Sequence, residues 1–171
     1  ESRQVTEAGT FPVRKMPVRV ARMERLSQDV MGLTLQLPAN DLIQFHAGQY
    51  VEFILRDGAR RSYSMANAPH TLMRPVPGGT TSAPMVELHI RHMPGGLFTD
   101  QVFGTMKERD ILRVEGPYGS FFLREDSDKP VILLASGTGF APIKAVIEHL
   151  QFMGSTRSAT LYWGGRRPQD L

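Results

Sequence analysis

The sequence predicts two fold classes in succession: an antiparallel β barrel of about six short strands, then the opening β-α-β unit of a doubly wound α/β domain. Two observations carry this. Up to Glu115, apolar residues come in short alternating runs separated by turn residues, which is the period of half-buried strands. After Asp128 the pattern changes to a continuous apolar run, a glycine-rich turn, and apolar residues at helical spacing.

Residues 1–15 lack sustained periodicity and read as a linker or tail. The barrel is expected over 16–126. Its strands begin with Pro17 to Arg25, alternating around Val18 and Val20, and Val30 to Leu37, alternating through Leu33, Leu35 and Leu37. Gln49 to Leu55 follows, then Asp57-Gly58, a pair that tolerates the positive φ of a tight hairpin. Arg60 to Ala66 is the returning strand. Thr71 to Pro84 is rich in Pro, Gly, Thr and Ser and reads as a long loop. Met85 to His92 and Ile111 to Glu115 complete the set. In the second unit, expected over 127–171, Val131 to Ala135 reads as a parallel strand buried on both faces. Ala141 to Met153 has helical spacing at Ile143, Val146, Ile147 and Leu150 and stops at Gly154. Ala159 to Trp163 is the second strand. Only about 42 residues follow the boundary near 124–129, where a compact domain needs about 50. The second unit is therefore expected to be incomplete, with the natural chain continuing past Leu171.

Composition narrows the chemistry. The chain has no cysteine, which excludes disulfides, thiolate catalysis and Cys-ligated zinc or iron–sulfur centres within these residues. His89 and His92 are the only close histidine pair, and at i and i+3 on a strand they point apart, so no metal site is expected. The net charge of +3 is scattered and forms no basic stripe with stacking aromatics, which argues against nucleic acid. No apolar run is long enough for a membrane span, and a cytoplasmic setting is expected.

Four motifs carry the functional reading. Arg61-Ser62-Tyr63-Ser64 alternates a cation, a ring and small hydroxyls, so Arg61 and Tyr63 share one strand face and Ser62 and Ser64 the other. A charge for phosphate and a ring to lie on suit a flat, phosphorylated cofactor. Met93-Pro94-Gly95-Gly96-Leu97-Phe98-Thr99 offers backbone amides ahead of a short helix, with Thr99 as a cap. Equally it is a plain strand-to-helix turn. Gly116 to Phe122 reads as a rigid turn closing the barrel. Ser136-Gly137-Thr138-Gly139-Phe140-Ala141-Pro142 sits after a buried strand and before a helix, where glycines let the backbone approach a pyrophosphate and Pro142 fits the first helical turn. After the last strand, Arg166 and Arg167 lie at the edge where doubly wound folds bind ligands. No GxSxG, HExxH or carboxylate pair points to hydrolysis.

Taken in order, Arg61-Ser-Tyr-Ser64, Pro94-Gly-Gly-Leu-Phe-Thr99, Gly116-Pro-Tyr-Gly119 and Gly137-Thr-Gly-Phe-Ala-Pro142 resemble the ferredoxin–NADP⁺ reductase family over roughly residues 16–171. His89-Ile-Arg-His-Met-Pro-Gly-Gly96 and Tyr162-Trp-Gly-Gly-Arg-Arg-Pro168 are similar to the reductases with an N-terminal [2Fe–2S] domain, which serve sugar dehydrases, oxygenases and hydroxylases. The resemblance implies an FAD-binding Greek-key barrel joined to a nicotinamide-binding domain. It implies that Arg61 holds the flavin pyrophosphate, with Ser62 beside it. Tyr63 would pack on the isoalloxazine, and Ser64 would stand near N5; these two are the catalytic candidates. His89, Ile90 and Arg91 would line the ribityl and phosphate part, and Gly95, Gly96, Leu97, Phe98 and Thr99 a second phosphate loop. Gly137, Thr138, Gly139 and Pro142 would bind NAD(P)H, and Arg166 its adenosine end.

The implied activity is hydride transfer from NAD(P)H to FAD, with electrons passing on to an iron–sulfur domain or protein and thence to a sugar dehydrase or oxygenase. The family's C-terminal segment and its [2Fe–2S] domain lie outside this stretch. FAD binding is therefore expected of it, while sustained NAD(P)H turnover and the choice between NADH and NADPH stay open. Two other functions fit the residues: a free-flavin reductase, and a non-catalytic flavin-binding or docking module.

Overall fold

A computed structural model describes residues 11–40 and 42–171. The tail reading falls mostly on residues 1–10, outside the described residues. Its last two residues belong to the barrel instead, because Arg14 pairs with Gly116 and Lys15 with Glu115.

The first strand, β1 (Arg14–Ser27), is 14 residues long. Met16, Val18 and Val20 point inward and are buried. β1 serves two neighbours. Arg14 to Arg19 pair with β7 (Ile111–Tyr118), and Arg19 to Ser27 pair with β2 (Val30–Gln36). A register shift between Val20 and Arg22 lets one long strand bend between them. β3 (Tyr50–Ile54) and β4 (Arg60–Ser64) form the hairpin read from Asp57-Gly58. Gly58 has φ +83°, and Asp57 Oδ1 accepts the Ala59 N–H at 2.9 Å.

The sheet order is β4-β3-β7-β1-β2-β6-β5, with β5 (Met73–Pro75) and β6 (Ser82–Arg91). β5 is a seventh strand, lying inside the stretch expected to be loop. Its three residues pair with Ser82 to Pro84, which also starts β6 three residues early. So short a run, ending at Pro75, carries too little alternation to register as a strand. Gly116 to Tyr118 also differ from expectation: they continue β7, and the turn begins only at Gly119 (φ +99°). The curled sheet closes on itself where Met65 bridges Leu88 and the Ala66 N–H donates to Glu87 O at 2.7 Å. Its interior is filled by Leu33, Leu35, Phe53, Met65, Leu88, Ile90 and Phe98, each 1 % exposed or less. Burying side chains of this size contributes about 1.5–3 kcal/mol apiece. α1 (Leu97–Phe103) plugs one end through Phe98 and Val102.

The second unit is the expected parallel β-α-β: β8 (Val131–Ser136), α2 (Phe140–Phe152) and β9 (Ala159–Gly164). Gly154 (φ +61°) ends α2, with the Ser155 N–H reaching back to Leu150 O. One expectation is corrected. β8 is buried on one face only: Leu133 and Ala135 pack under α2, whereas Ile132 is 74 % and Leu134 76 % exposed. Among the described residues nothing covers the Ile132 and Leu134 face of this strand. The unit docks on the barrel through Ala47 and Ala68, which join Ile143, Ala145, Val146 and Leu150 in one apolar cluster. No helix among the described residues is long and apolar enough to cross a membrane.

Candidate functional site

β4 ends the hydrogen-bonded strand order, and only its exit, at Met65 and Ala66, is bonded to β6, so Arg60 to Ser64 have a paired strand on one side alone. Arg61 stands opposite Phe53 and Tyr63 opposite Val51, both inward-facing positions. Ser62 stands opposite Glu52, to which its Oγ donates at 3.3 Å, and Ser64 opposite Tyr50. The alternation thus persists through Ser64, and Tyr63 and Ser64 leave on opposite faces. The Tyr63 ring lies 5.8 Å from Phe98 and 5.9 Å from Phe53, which ties the first motif to the second. Burial pushes the Tyr63 hydroxyl pKa up, against the opposing Arg61 charge, so the phenol stays neutral. The two arginines of this strand have different jobs. Arg60 is held by Glu52 and Glu115, both at 3.0 Å. Arg61 is exposed and donates to the Arg60 carbonyl, with no acidic partner among the described residues.

The end of β6 runs beside this strand. Ile90 is wholly buried in the barrel core, so it presents only backbone to a ligand. His89 Nε2 sits 3.0 Å from Glu87 Oε1. Arg91 is the most telling of the three. Its Nε is buried without a hydrogen-bond partner among the described residues. Its Nη2 lies 2.6 Å from where a Cβ on Gly137 would stand. A buried guanidinium N–H left unpaired is costly, and an anion is its natural complement.

The loop after β6 is more self-contained than its glycines suggest. Asp100 Oδ2 accepts the Gly95 N–H at 3.2 Å, and Met93 O accepts the Gly96 N–H at 2.8 Å. Thr99 is not the cap, since that position is Gly96. Its buried hydroxyl lies 3.0 Å from both Met93 N and Met93 O, accepting from one and donating to the other. The amides left without intrahelical acceptors are those of Leu97, Phe98 and Thr99.

Across from Arg91, Gly137–Gly139 form a 3₁₀ turn leading directly into α2, with Gly137 at φ +52° and Pro142 in the first helical turn. The Trp163 indole N–H donates to Gly137 O at 3.2 Å, and its ring stacks on Phe140 at 4.0 Å. Thr138 and Gly139 carry the turn between them. Arg166 reaches back to the barrel, pairing with Asp29 Oδ2 at 3.2 Å and with Asp170 at 3.7 Å. The structure thus brings Tyr63 against the buried Phe98 and, separately, Arg91 against Gly137. It leaves the Ile90 side chain in the core and the Thr99 hydroxyl bonded within its own loop.

Sequence reasoning missed the residues that hold these elements together. Asn67, fully buried, donates to Met85 O and accepts the Glu87 N–H at 2.8 Å, fastening the exit of β4 to β6. Lys144 donates to Ala66 O at 2.9 Å, and Glu148 accepts the Ala68 N–H at 2.9 Å. The available signal was a Lys and a Glu four apart, flanked by the buried positions of α2. Glu87 sits among these groups. Burial opposes its ionisation, yet the His89 hydrogen bond and the charges of Lys144, His89 and Arg74 prevail, lowering its pKa to about 2.

Comparison with known proteins follows the same division. Residues 17–123 match the oxidoreductase FAD-binding domain family, and residues 133–171 match the oxidoreductase NAD-binding domain family. The chain is 41 % identical over 148 residues to CDP-6-deoxy-L-threo-D-glycero-4-hexulose-3-dehydrase reductase of Yersinia pestis, covering 86 % of this chain and 41 % of that protein. It is 43 % identical over 143 residues to terephthalate 1,2-dioxygenase reductase component 1 of Comamonas sp, covering 84 % and 39 %. The chain therefore spans well under half the length of these curated relatives. Among solved structures, the Amycolatopsis cytochrome P450 reductase GcoB superposes with a TM-score of 0.80 at 32 % identity, covering 95 % of this chain and 46 % of that one.

Proposed function

The chain belongs to the oxidoreductase FAD-binding domain family, and from that premise we propose that it is the flavin- and nicotinamide-binding part of an NAD(P)H-dependent reductase. The barrel, read from Arg14 to about residue 126, holds FAD; residues 127–171 contribute to the nucleotide site. The observation that carries this is Arg91, whose buried Nε has no partner among the described residues and whose Nη2 stands against the Gly137 turn. The residues fit the group. Arg61 and Arg91, neither of which has an acidic partner among the described residues, supply two cations for a pyrophosphate, and the Leu97, Phe98 and Thr99 amides supply neutral donors. Tyr63 offers a neutral, half-buried ring for a flat heterocycle.

FAD, when bound, would supply the redox chemistry that links a two-electron hydride donor to a one-electron acceptor. The chain's own work is placement. Tyr63, backed by Phe98 and Phe53, keeps one side of the ring plane dry. Ser64 places a hydroxyl at the strand rim, able to donate a hydrogen bond to a ring nitrogen. The Gly137–Pro142 turn sets free amides and the positive end of α2 toward the nicotinamide cofactor's phosphates. Arg166 reaches the adenosine end once Asp29 releases it. The electron acceptor is an iron–sulfur domain or protein, and the names of the two relatives above point to a sugar dehydrase or an oxygenase system downstream.

The test is the absorption spectrum of the purified protein, before and after gel filtration and then under anaerobic NADH or NADPH. Flavin absorbance retained on the column and bleached by either nucleotide is expected. Colour lost on the column would identify a free-flavin reductase instead. Retained colour that neither nucleotide bleaches would identify a flavin-binding docking module.

A further inference from the structure

Helix α2 begins at the Gly137 turn and, one turn later, meets the barrel at the segment that leaves β4. That meeting is built from polar groups on the helix side. Lys144 Nζ donates to Ala66 O at 2.9 Å, pairs with Glu148 Oε1 at 2.7 Å and lies 3.7 Å from Glu87 Oε2. Glu148 Oε2 accepts the Ala68 N–H at 2.9 Å. One helix thus satisfies a carbonyl and an amide of the same barrel segment. The side chains involved are only 30 % (Lys144), 25 % (Glu148) and 21 % (Glu87) exposed, so solvent screening is reduced. Around them the seat is made of small residues. Ala68 and Ala47 pack against Ala145 and Val146, which lets the helix backbone come close enough for both bonds. Ala66 is two residues from Ser64, and Lys144 is seven from Gly137.

From this we infer that Lys144 and Glu148 are positioning residues, forming a clamp that sets the separation between the nicotinamide-binding turn and the flavin-binding strand. This rests on the flavin reading above. Neither residue is assigned a cofactor contact in that reading. Both act through the backbone at Ala66 and Ala68, upstream of which Ser64 and Tyr63 are rigidly linked. Hydride transfer is steep in donor–acceptor distance, and a displacement of about 1 Å can cost up to about 100-fold in rate. The clamp therefore governs the rate of flavin reduction and leaves FAD affinity, which depends on Arg61, Arg91 and the α1 amides, largely untouched.

The chain carries a single tryptophan, Trp163, bonded to Gly137 O, so its excited-state lifetime with FAD bound reports the distance between the turn and the flavin. Three variants test the clamp: Lys144→Met, Lys144→Arg, and the swapped pair Lys144→Glu with Glu148→Lys. The swap keeps the i,i+4 ion pair within the helix but removes both bonds to the barrel. Expected in the Met variant and the swap are a longer, broader Trp163 lifetime and FAD affinity within about twofold of the original; in the swap, which also removes the Glu148 acceptor, Ala68 amide exchange is faster by about tenfold. Flavin reduction slows by about tenfold or more with little change in nucleotide affinity. Lys144→Arg, which keeps a donor and a charge, restores all of these. An unchanged lifetime and unchanged Ala68 exchange in the swapped protein would overturn the proposal. The exchange measurement needs no flavin. If the unaltered chain takes up no FAD, the functional reading fails, while Ala68 exchange in the swapped protein still decides whether the clamp exists.

Discussion

Single residues in this protein divide between those that present chemistry and those that make room for it. On the proposed reading Ser64 is of the first kind; it lies at the end of β4, on the face away from Tyr63. Ser64→Ala is expected to lower the rate of flavin reduction by about tenfold or more while FAD affinity changes little, because a transition-state hydrogen bond is lost and no ground-state anchor is. Stopped-flow reduction at the original rate would remove Ser64 from the site. Gly48 is of the second kind. At φ +109°, a Cβ there would lie 2.4 Å from the Phe121 backbone oxygen. Gly48→Ala should cost about 1–3 kcal/mol in denaturant unfolding. Gly58→Ala is the control, since at φ +83° its Cβ meets nothing within 4 Å and only backbone strain remains. Glu87 adds a pH dependence. Its carboxyl falls from 4.5 to about 2 on folding, so its contribution is fully present above 4.5 and is lost as pH drops toward 2. Glu87→Gln should therefore narrow the gap between urea midpoints at pH 7 and pH 3. The positive-φ glycines were legible as turn residues, but the depressed Glu87 carboxyl was not, because it needs the folded His89 hydrogen bond and the Lys144 charge from another unit of the fold.

At the scale of elements, β4 and α2 do the positioning, and each was recognised for its own pattern only. The β4 alternation was readable from Arg61 to Ser64; that β4 stands last in the strand order depends on the whole sheet. The α2 spacing was readable as a helix with one apolar side. Its docking through Ala47 and Ala68 was hidden, since alanine carries little periodic signal. β8 shows the reverse error. Five apolar residues in a row imply two covered faces, yet α2 covers only one among the described residues, and Ile132 and Leu134 stand open. Replacing both with threonine should leave the melting temperature within about 2 °C, since little burial is lost. It should also reduce self-association in sedimentation, an exposed apolar strip being an adhesive surface. A large fall in melting temperature would mean that this face is covered in solution.

For the whole molecule, the barrel and the β-α-β unit meet along an apolar seat and a polar clamp, and the proposed cofactors lie along the same junction. FAD that binds only the folded chain raises stability by mass action, by about 2.7 kcal/mol at a hundredfold excess over its dissociation constant. The melting temperature should climb steadily with the logarithm of FAD concentration; a flat response would contradict an FAD site on the folded barrel. What the sequence by itself determined was the kind and order of parts: strands from period-two alternation, a helix from 3.6-residue spacing, turns from glycine, and four motifs in a family's order. These are short-range properties, carried by neighbours in the chain. Only the tertiary structure decided which of the motif residues meet. It turned the Ile90 side chain into core, spent the Thr99 hydroxyl on its own loop, and brought Arg91 against Gly137 and Lys144 against Ala66. Those outcomes depend on closing a sheet and seating a helix on it, and the long-range packing that fixes them is not carried by any one stretch of the chain.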